Sequence, residues 1–308
     1  MKKKHKHNLP KDRTTIVTEQ RNPRTMNLHE LSAAECVKVM NEENHEALTA
    51  IEKASKTITK FIEAAEEKFN AGGRLIYIGA GTSGRLGVLD SAEAPPTFQV
   101  ESARVIGIIA GGDSALRTSS EGKEDNPNGA CGELDRLSLT KNDIVLGIAA
   151  GGTTPYVLGA LDYAKKCKTE LLTGLLACTH IPSPPGVDLL IILETGPEVL
   201  TGSTRLKAGT ATKLVLNTIS TTLMIRSGRV YENLMVDVRV TNEKLLDRAI
   251  RIVSTLTERN RNESFDLLKR AEGVVKTAIV MHYHNLSQKK AKELLDSHGG
   301  RLDKVLKS

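Results

Sequence analysis

The chain has 308 residues, of which 39% are apolar and 3% aromatic, with no tryptophan, so it can build a large core but only an aliphatic one. The net charge of +6 is concentrated at one end: residues 1–13 hold six Lys/Arg against Asp12, a surplus of five, and the rest is close to neutral. That speaks against nucleic-acid binding, which needs cations on a folded face or stacking aromatics, and against a zinc site, because Cys36, Cys131, Cys167 and Cys178 show neither CxxC nor Cys/His spacing.

Residues 1–31 read as a basic, mostly irregular tail, solvated at its start. Ser32 and Glu35 then form a capping box, with Leu31 placed as its staple. Helical periodicity follows through Val37, Met40, Leu48, Ile51, Ile58, Ile62 and Ala65, and stops at Gly72-Gly73. Leu75–Ile78 reads as a strand, and a helix is expected from Arg85 until Pro95-Pro96 ends it. A second strand is expected at 105–109, a helical segment near 115–124 and a third strand at 144–148. A helix then starts near Pro155, a favoured first-turn residue. Apolar runs at 171–177 and 188–193 read as strands four and five, 199–227 as a long helix, and everything after about 240 as helical. Strand and helix alternate through the middle, which predicts an α/β, doubly wound parallel sheet of about five strands. The boundaries follow as tail 1–31, sheet domain 32–235 with its N-terminal helix, and C-terminal helical region 236–308. No apolar run approaches a membrane span and no signal peptide is evident, so a cytoplasmic protein is expected.

Five motifs carry candidate chemistry. Gly79-Ala80-Gly81-Thr82-Ser83-Gly84 joins a strand to a helix. Glycines let backbone amides approach an anion, and two hydroxyls add donors, a set suited to a phosphate monoester. Gly151-Gly152-Thr153-Thr154-Pro155 repeats the arrangement after strand three, so the two loops should converge on one crevice. Glu93, before the double proline, and Glu124, in Glu121-Gly122-Lys123-Glu124-Asp125, are candidate catalytic carboxylates. Glu121 and Glu124 are also spaced to share a helix face. Gly196-Pro197-Glu198 and the stretch Thr201–Thr210 collect hydroxyls and cations, with Glu198, Ser203, Thr204 and Lys207 as candidate substrate contacts.

Taken together, IYIGAGTSGRLGVLDSAEAPPTF, EGKED, GPEVLTGSTRLKAGTATKLVLN, YENLMVDV and TNEKL closely resemble the N-acetylmuramic acid 6-phosphate etherases, from about Thr18 to the C-terminus. The resemblance implies a sugar isomerase (SIS) domain with a flavodoxin-like five-stranded sheet, working as a homodimer without metal or organic cofactor. Its implied substrate is a phosphorylated amino sugar, whose lactyl ether is broken to give N-acetylglucosamine 6-phosphate and D-lactate in cell-wall sugar recycling. The family's proton-donor glutamate maps onto Glu93 and its second active-site glutamate onto Glu124. The implied substrate-binding set is Gly81, Thr82, Ser83, Gly84, Gly152, Thr153, Thr154, Glu198, Ser203, Thr204 and Lys207.

This chain departs from the family pattern in the second loop, where A-A-S-G-R-T-P-Y is usual and Ala149-Ala150-Gly151-Gly152-Thr153-Thr154-Pro155-Tyr156 stands instead. A hydroxyl and a guanidinium are missing there. Losing one hydrogen bond to a charged group costs about 1.5–3 kcal/mol. The departure keeps open a non-catalytic hexose-phosphate sensor resembling the glucokinase regulatory proteins, and the fold alone would also allow an aldose–ketose isomerase. Neither of these releases lactate.

Overall fold

The computed structural model describes residues 12–238, 240 and 242–307. The basic stretch 1–11 and the Glu121 side chain lie outside the described residues. In chain order the elements are α1 (Ala33–Asn70), β1 (Leu75–Gly79), α2 (Gly81–Phe98), β2 (Val105–Ile109), α3 (Ser114–Arg117), α4 (Cys131–Leu137), β3 (Ile144–Ile148), α5 (Pro155–Cys167), β4 (Leu172–Ala177), β5 (Leu189–Ile192) and α6 (Lys207–Arg226). A hairpin, β6 (Val230–Tyr231) and β7 (Leu234–Met235), then leads to α7 (Glu243–Thr257), α8 (Arg261–Arg270), α9 (Val275–His284), α10 (Gln288–Ser297) and α11 (Leu302–Val305).

The five main strands are parallel in the order β2-β1-β3-β4-β5, which is the flavodoxin-like order. Their side chains alternate between two cores, as pleating requires. Leu75 and Tyr77 face α1, α2 and α6, whereas Ile76 and Ile78 face α4 and α5. Every residue of β1, β3 and β4 is buried, as expected of a parallel sheet covered on both faces. The helices after 236 enclose a separate apolar cluster of their own. No helix among the described residues is long and apolar enough to cross a membrane.

The capping box closes in both directions, with Ser32 N–H on Glu35 at 2.8 Å and Glu35 N–H on Ser32 Oγ at 3.3 Å. Three expectations are corrected. Pro95 and Pro96 do not end α2; they lie inside its last turn, and the helix stops at Gln99, whose left-handed φ of 52° caps it. The missing prolyl N–H groups remove only the bonds to Ser91 and Ala92, while the Gln99 N–H still reaches the Pro95 carbonyl at 3.0 Å. Residues 199–206 form turns rather than the start of α6, because Gly202 adopts φ 73°. Residues 12–31 are not loose: they make three short 3-10 turns, and Thr18, Asn22 and Thr25 are buried.

Two carboxylates, Asp143 buried and Asp188 exposed, fasten strand starts. Asp143 takes a two-pronged pair from Arg74 at 2.9 and 2.6 Å and backbone N–H groups of Arg74 and Thr140. Burial pushes its carboxyl up, but these donors outweigh burial and hold it below the usual range. Asp188 is lowered in the same way, burial being outweighed by Lys165 and Thr173. Carboxylates lowered in the fold contribute stability above the ordinary Asp range, near about pH 4, and lose it as pH falls through their depressed folded values. Thermal melts on acidification should therefore fall steeply below that pH. Asp143→Asn should lose stability at neutral pH and flatten the acid limb.

Candidate active site

The glycine loops are shaped by close approach. A Cβ on Gly84 would stand 2.7 Å from the Gly79 carbonyl oxygen and 2.6 Å from Ile109 Cγ1, so α2 rests directly on the end of β1. Ala80, the residue before α2, offers no side-chain cap. The first amides of α2 therefore have no acceptor within the helix and point out of the carboxyl end of the sheet. In the second loop Gly152 adopts φ 67°, and a Cβ there would strike Ile181. Gly79 pairs with Ile109 on one side and Ile148 on the other. The loops after β1 and β3 are thus neighbours that leave the sheet toward opposite faces, and a crevice opens between them.

That crevice is a cavity of ≈ 210 Å³. Gly81, Thr82 and Ser83 line it from the first loop, Gly151, Thr153 and Thr154 from the second, and Thr204 from the turn before α6. Glu124 also lines it, half-buried. Its position follows from its backbone: the Glu124 carbonyl accepts the Tyr156 N–H at 2.9 Å, which seats the 121–125 turn on the start of α5.

Four further residues in the cavity wall were not anticipated from sequence: Arg13, Ile16, Glu19 and Asp125. The first three come from the 12–31 segment, which folds over the sheet's carboxyl edge. It is anchored where Asn22 donates to Glu43 at 2.8 Å and to the Pro197 carbonyl at 3.2 Å, and where Thr25 donates to the Val199 carbonyl at 2.8 Å.

The remaining sequence candidates lie elsewhere. Gly84 and Gly152 shape the loops without lining the cavity. Ser203 accepts the Leu206 N–H through its carbonyl and is a turn residue. Glu198 is fully buried and accepts the Lys207 and Ala208 N–H groups at 3.1 and 2.9 Å, so it caps α6. Burial pushes its carboxyl above the usual range, and those amides offset this only in part. Lys207, 2% exposed, pairs with the equally buried Glu43 at 2.5 Å. Glu93 is exposed on α2 and outside the cavity. Among the described residues no cluster of three or more His, Cys, Asp or Glu side chains is placed to hold a metal ion. The four cysteines are unpaired, and burial pushes the Cys178 thiol up to about 12.

Two family models match the chain: the glucokinase regulatory protein N-terminal SIS domain over residues 53–165, and the C-terminal lid domain of glucokinase regulatory protein over residues 232–272. Curated relatives match far more of it. An N-acetylmuramic acid 6-phosphate etherase of Synechocystis sp. is 49% identical over 296 residues, 96% of each chain. Etherases of Crocosphaera subtropica and Staphylococcus epidermidis are 48% and 47% identical, covering 96% and 94% of this chain and 97% and 98% of their own lengths. With a five-stranded parallel sheet in flavodoxin-like order and near-complete matches on this scale, the chain belongs to the N-acetylmuramic acid 6-phosphate etherase family.

Proposed function

We propose that this protein is a carbon–oxygen lyase that converts N-acetylmuramic acid 6-phosphate and water to N-acetylglucosamine 6-phosphate and D-lactate. The observation that carries the reading is one cavity where unbonded helix amides, five hydroxyls and the Glu124 carboxylate converge, in a chain whose relatives are named etherases over nearly their full length. The amides and hydroxyls suit a phosphate monoester. Glu124 serves as the base that takes the C2 proton of the open-chain sugar, which the neighbouring carbonyl acidifies. Glu93 serves as the acid that protonates the departing ether oxygen, and water then adds at C3. A phosphorylated sugar does not diffuse through a bilayer, so the reading places the enzyme in the cytoplasm, in amino-sugar catabolism.

Glu93 lies twelve residues along α2 from Gly81, roughly 18 Å at the helical rise. The two glutamates therefore do not meet in the cavity of one chain. The reading accordingly includes a homodimer in which Glu93 serves the other chain's cavity. Three features support it. Leu89, one turn before Glu93, is exposed. Val37, Met40 and Leu48 form an exposed apolar stripe on α1. The cavity's ≈ 210 Å³ also falls short of the roughly 300–1,000 Å³ of a pocket that encloses a whole small-molecule ligand.

The test is lactate release from N-acetylmuramic acid 6-phosphate in deuterated water. Lactate should appear, with deuterium at C2 of the product. A folded protein that binds the sugar phosphate yet releases no lactate would instead be a non-catalytic sensor. Lactate released without C2 exchange would reject the elimination.

A further inference from the structure

The cavity has an electrostatic imbalance. Its wall carries three carboxylates, Glu19, Glu124 and Asp125, and among the described residues that line it one basic side chain, Arg13. A phosphate monoester brings between one and a half and two further negative charges near pH 7. A helix N-terminus returns about half a charge, and hydroxyls are neutral donors. Without a cation the site would repel the ligand its loops are shaped to hold.

The geometry points to Arg13 as the residue that neutralises and grips the substrate's phosphate, an assignment that rests on the proposed etherase reaction. The Arg13 side chain is exposed and makes no ion pair among the described residues, despite three carboxylates around the same cavity. A guanidinium offers a planar fork of donors that matches two phosphate oxygens. Its backbone is fixed: the Arg13 carbonyl accepts the Ile16 N–H at 2.9 Å, and the Ile16 carbonyl accepts the Glu19 N–H at 2.9 Å. Thr18, fully buried, holds the next turn down.

The altered second loop and this segment fit each other. A Cβ on Gly151 would stand 3.8 Å from Ile16 Cγ2 and 4.0 Å from Thr18 Oγ1. Both are ordinary van der Waals distances, so the Arg13-bearing segment lies directly beside the altered loop. The buried Thr18 hydroxyl has no hydrogen-bond partner, as if a hydroxyl at 151 had been withdrawn from it. Thr153, where the family pattern carries arginine, also lines the cavity. A guanidinium absent from the loop is thereby replaced by one that enters from the N-terminal side.

The experiment compares wild type, Arg13→Ala, Arg13→Lys and the double variant Arg13→Ala with Thr153→Arg. Two quantities are measured: KM for N-acetylmuramic acid 6-phosphate, and the inhibition constant of inorganic phosphate, which tests the phosphate contact alone. Arg13→Ala should raise both by about tenfold to a hundredfold, leaving kcat within about twofold. Arg13→Lys should fall between, since it keeps the charge but loses the fork. The double variant should regain most of the loss. Unchanged KM and unchanged phosphate inhibition in Arg13→Ala would overturn the assignment, as would a double variant no better than the single one. Glucose 6-phosphate binding, followed by calorimetry, separates the two ideas. If wild type binds it Arg13-dependently but releases no lactate from N-acetylmuramic acid 6-phosphate, the etherase reading fails and the Arg13 assignment stands.

Discussion

Glu93→Gln and Glu124→Gln chains, each inactive alone, are expected to recover about one quarter of the wild-type rate when mixed in equal amounts and allowed to exchange subunits. Each substitution removes a proton-transfer group and should cost about 10²- to 10⁴-fold in lactate release when both chains of a dimer carry it. In a mixed dimer, one site draws Glu93 from the Glu124→Gln chain and Glu124 from the Glu93→Gln chain, and so has both. The other site has neither. Half the dimers are mixed and half of their sites work, which gives the quarter. The expectation follows from where α2 leaves Glu93: exposed and outside the cavity that Glu124 lines. Mixed samples that stay as inactive as their components, although subunit exchange is verified, would show that the two carboxylates do not complement across an interface.

The second large effect is structural. Lys207→Met should destabilise the fold by about 3 kcal/mol, because it takes from a buried carboxylate its one buried cation. Glu43 is 2% exposed, and its oxygens are shared among Lys207, Asn22 and Arg24, the last at 2.6 Å. This cluster ties α1, α6 and the 12–31 segment together. Lys207→Met combined with Glu43→Leu should recover part of the stability. Denaturant unfolding of the single and double variants checks this, and a single-variant loss below about 1 kcal/mol, the size of an exposed pair, would reject the buried-pair account.

Much of this architecture was legible in the residues. Ser32 and Glu35 announce α1 because a capping box is a local contact with a fixed spacing. The strands are legible because five short apolar runs are separated by polar, glycine- or proline-bearing stretches. The two glycine loops mark the crevice because close approach and left-handed φ leave few alternatives. The candidates that lie outside the cavity share a different cause. Lys207 and Glu198 belong to a stretch dense in polar groups, and polarity alone does not distinguish a ligand contact from a buried pair or a helix cap. Arg13, Ile16 and Glu19 were overlooked because 3-10 turns of three residues have no periodicity. Only the long-range contacts of Asn22 and Thr25 hold that segment in place. Pro95-Pro96 misled because proline's penalty applies to bonds with the preceding turn, and a helix within its last turn has few left to lose.

That double proline also sets how α2 yields to force along its length. At its first turn, Gly79 and Gly84 are in such close contact that no slack exists, and the phosphate-facing loop moves only if β1 moves. Midway, Asp90 accepts bonds from Tyr77, Asn217 and Ser220, pinning the helix to the sheet and to α6. Past that pin, the carbonyls of Ser91 and Ala92 have no helical N–H to hold them. The helix is therefore stiff at its glycine end and compliant at the turn that carries Glu93; under the proposed reaction, that carboxylate could shift toward a leaving oxygen while the glycine loop stays in place.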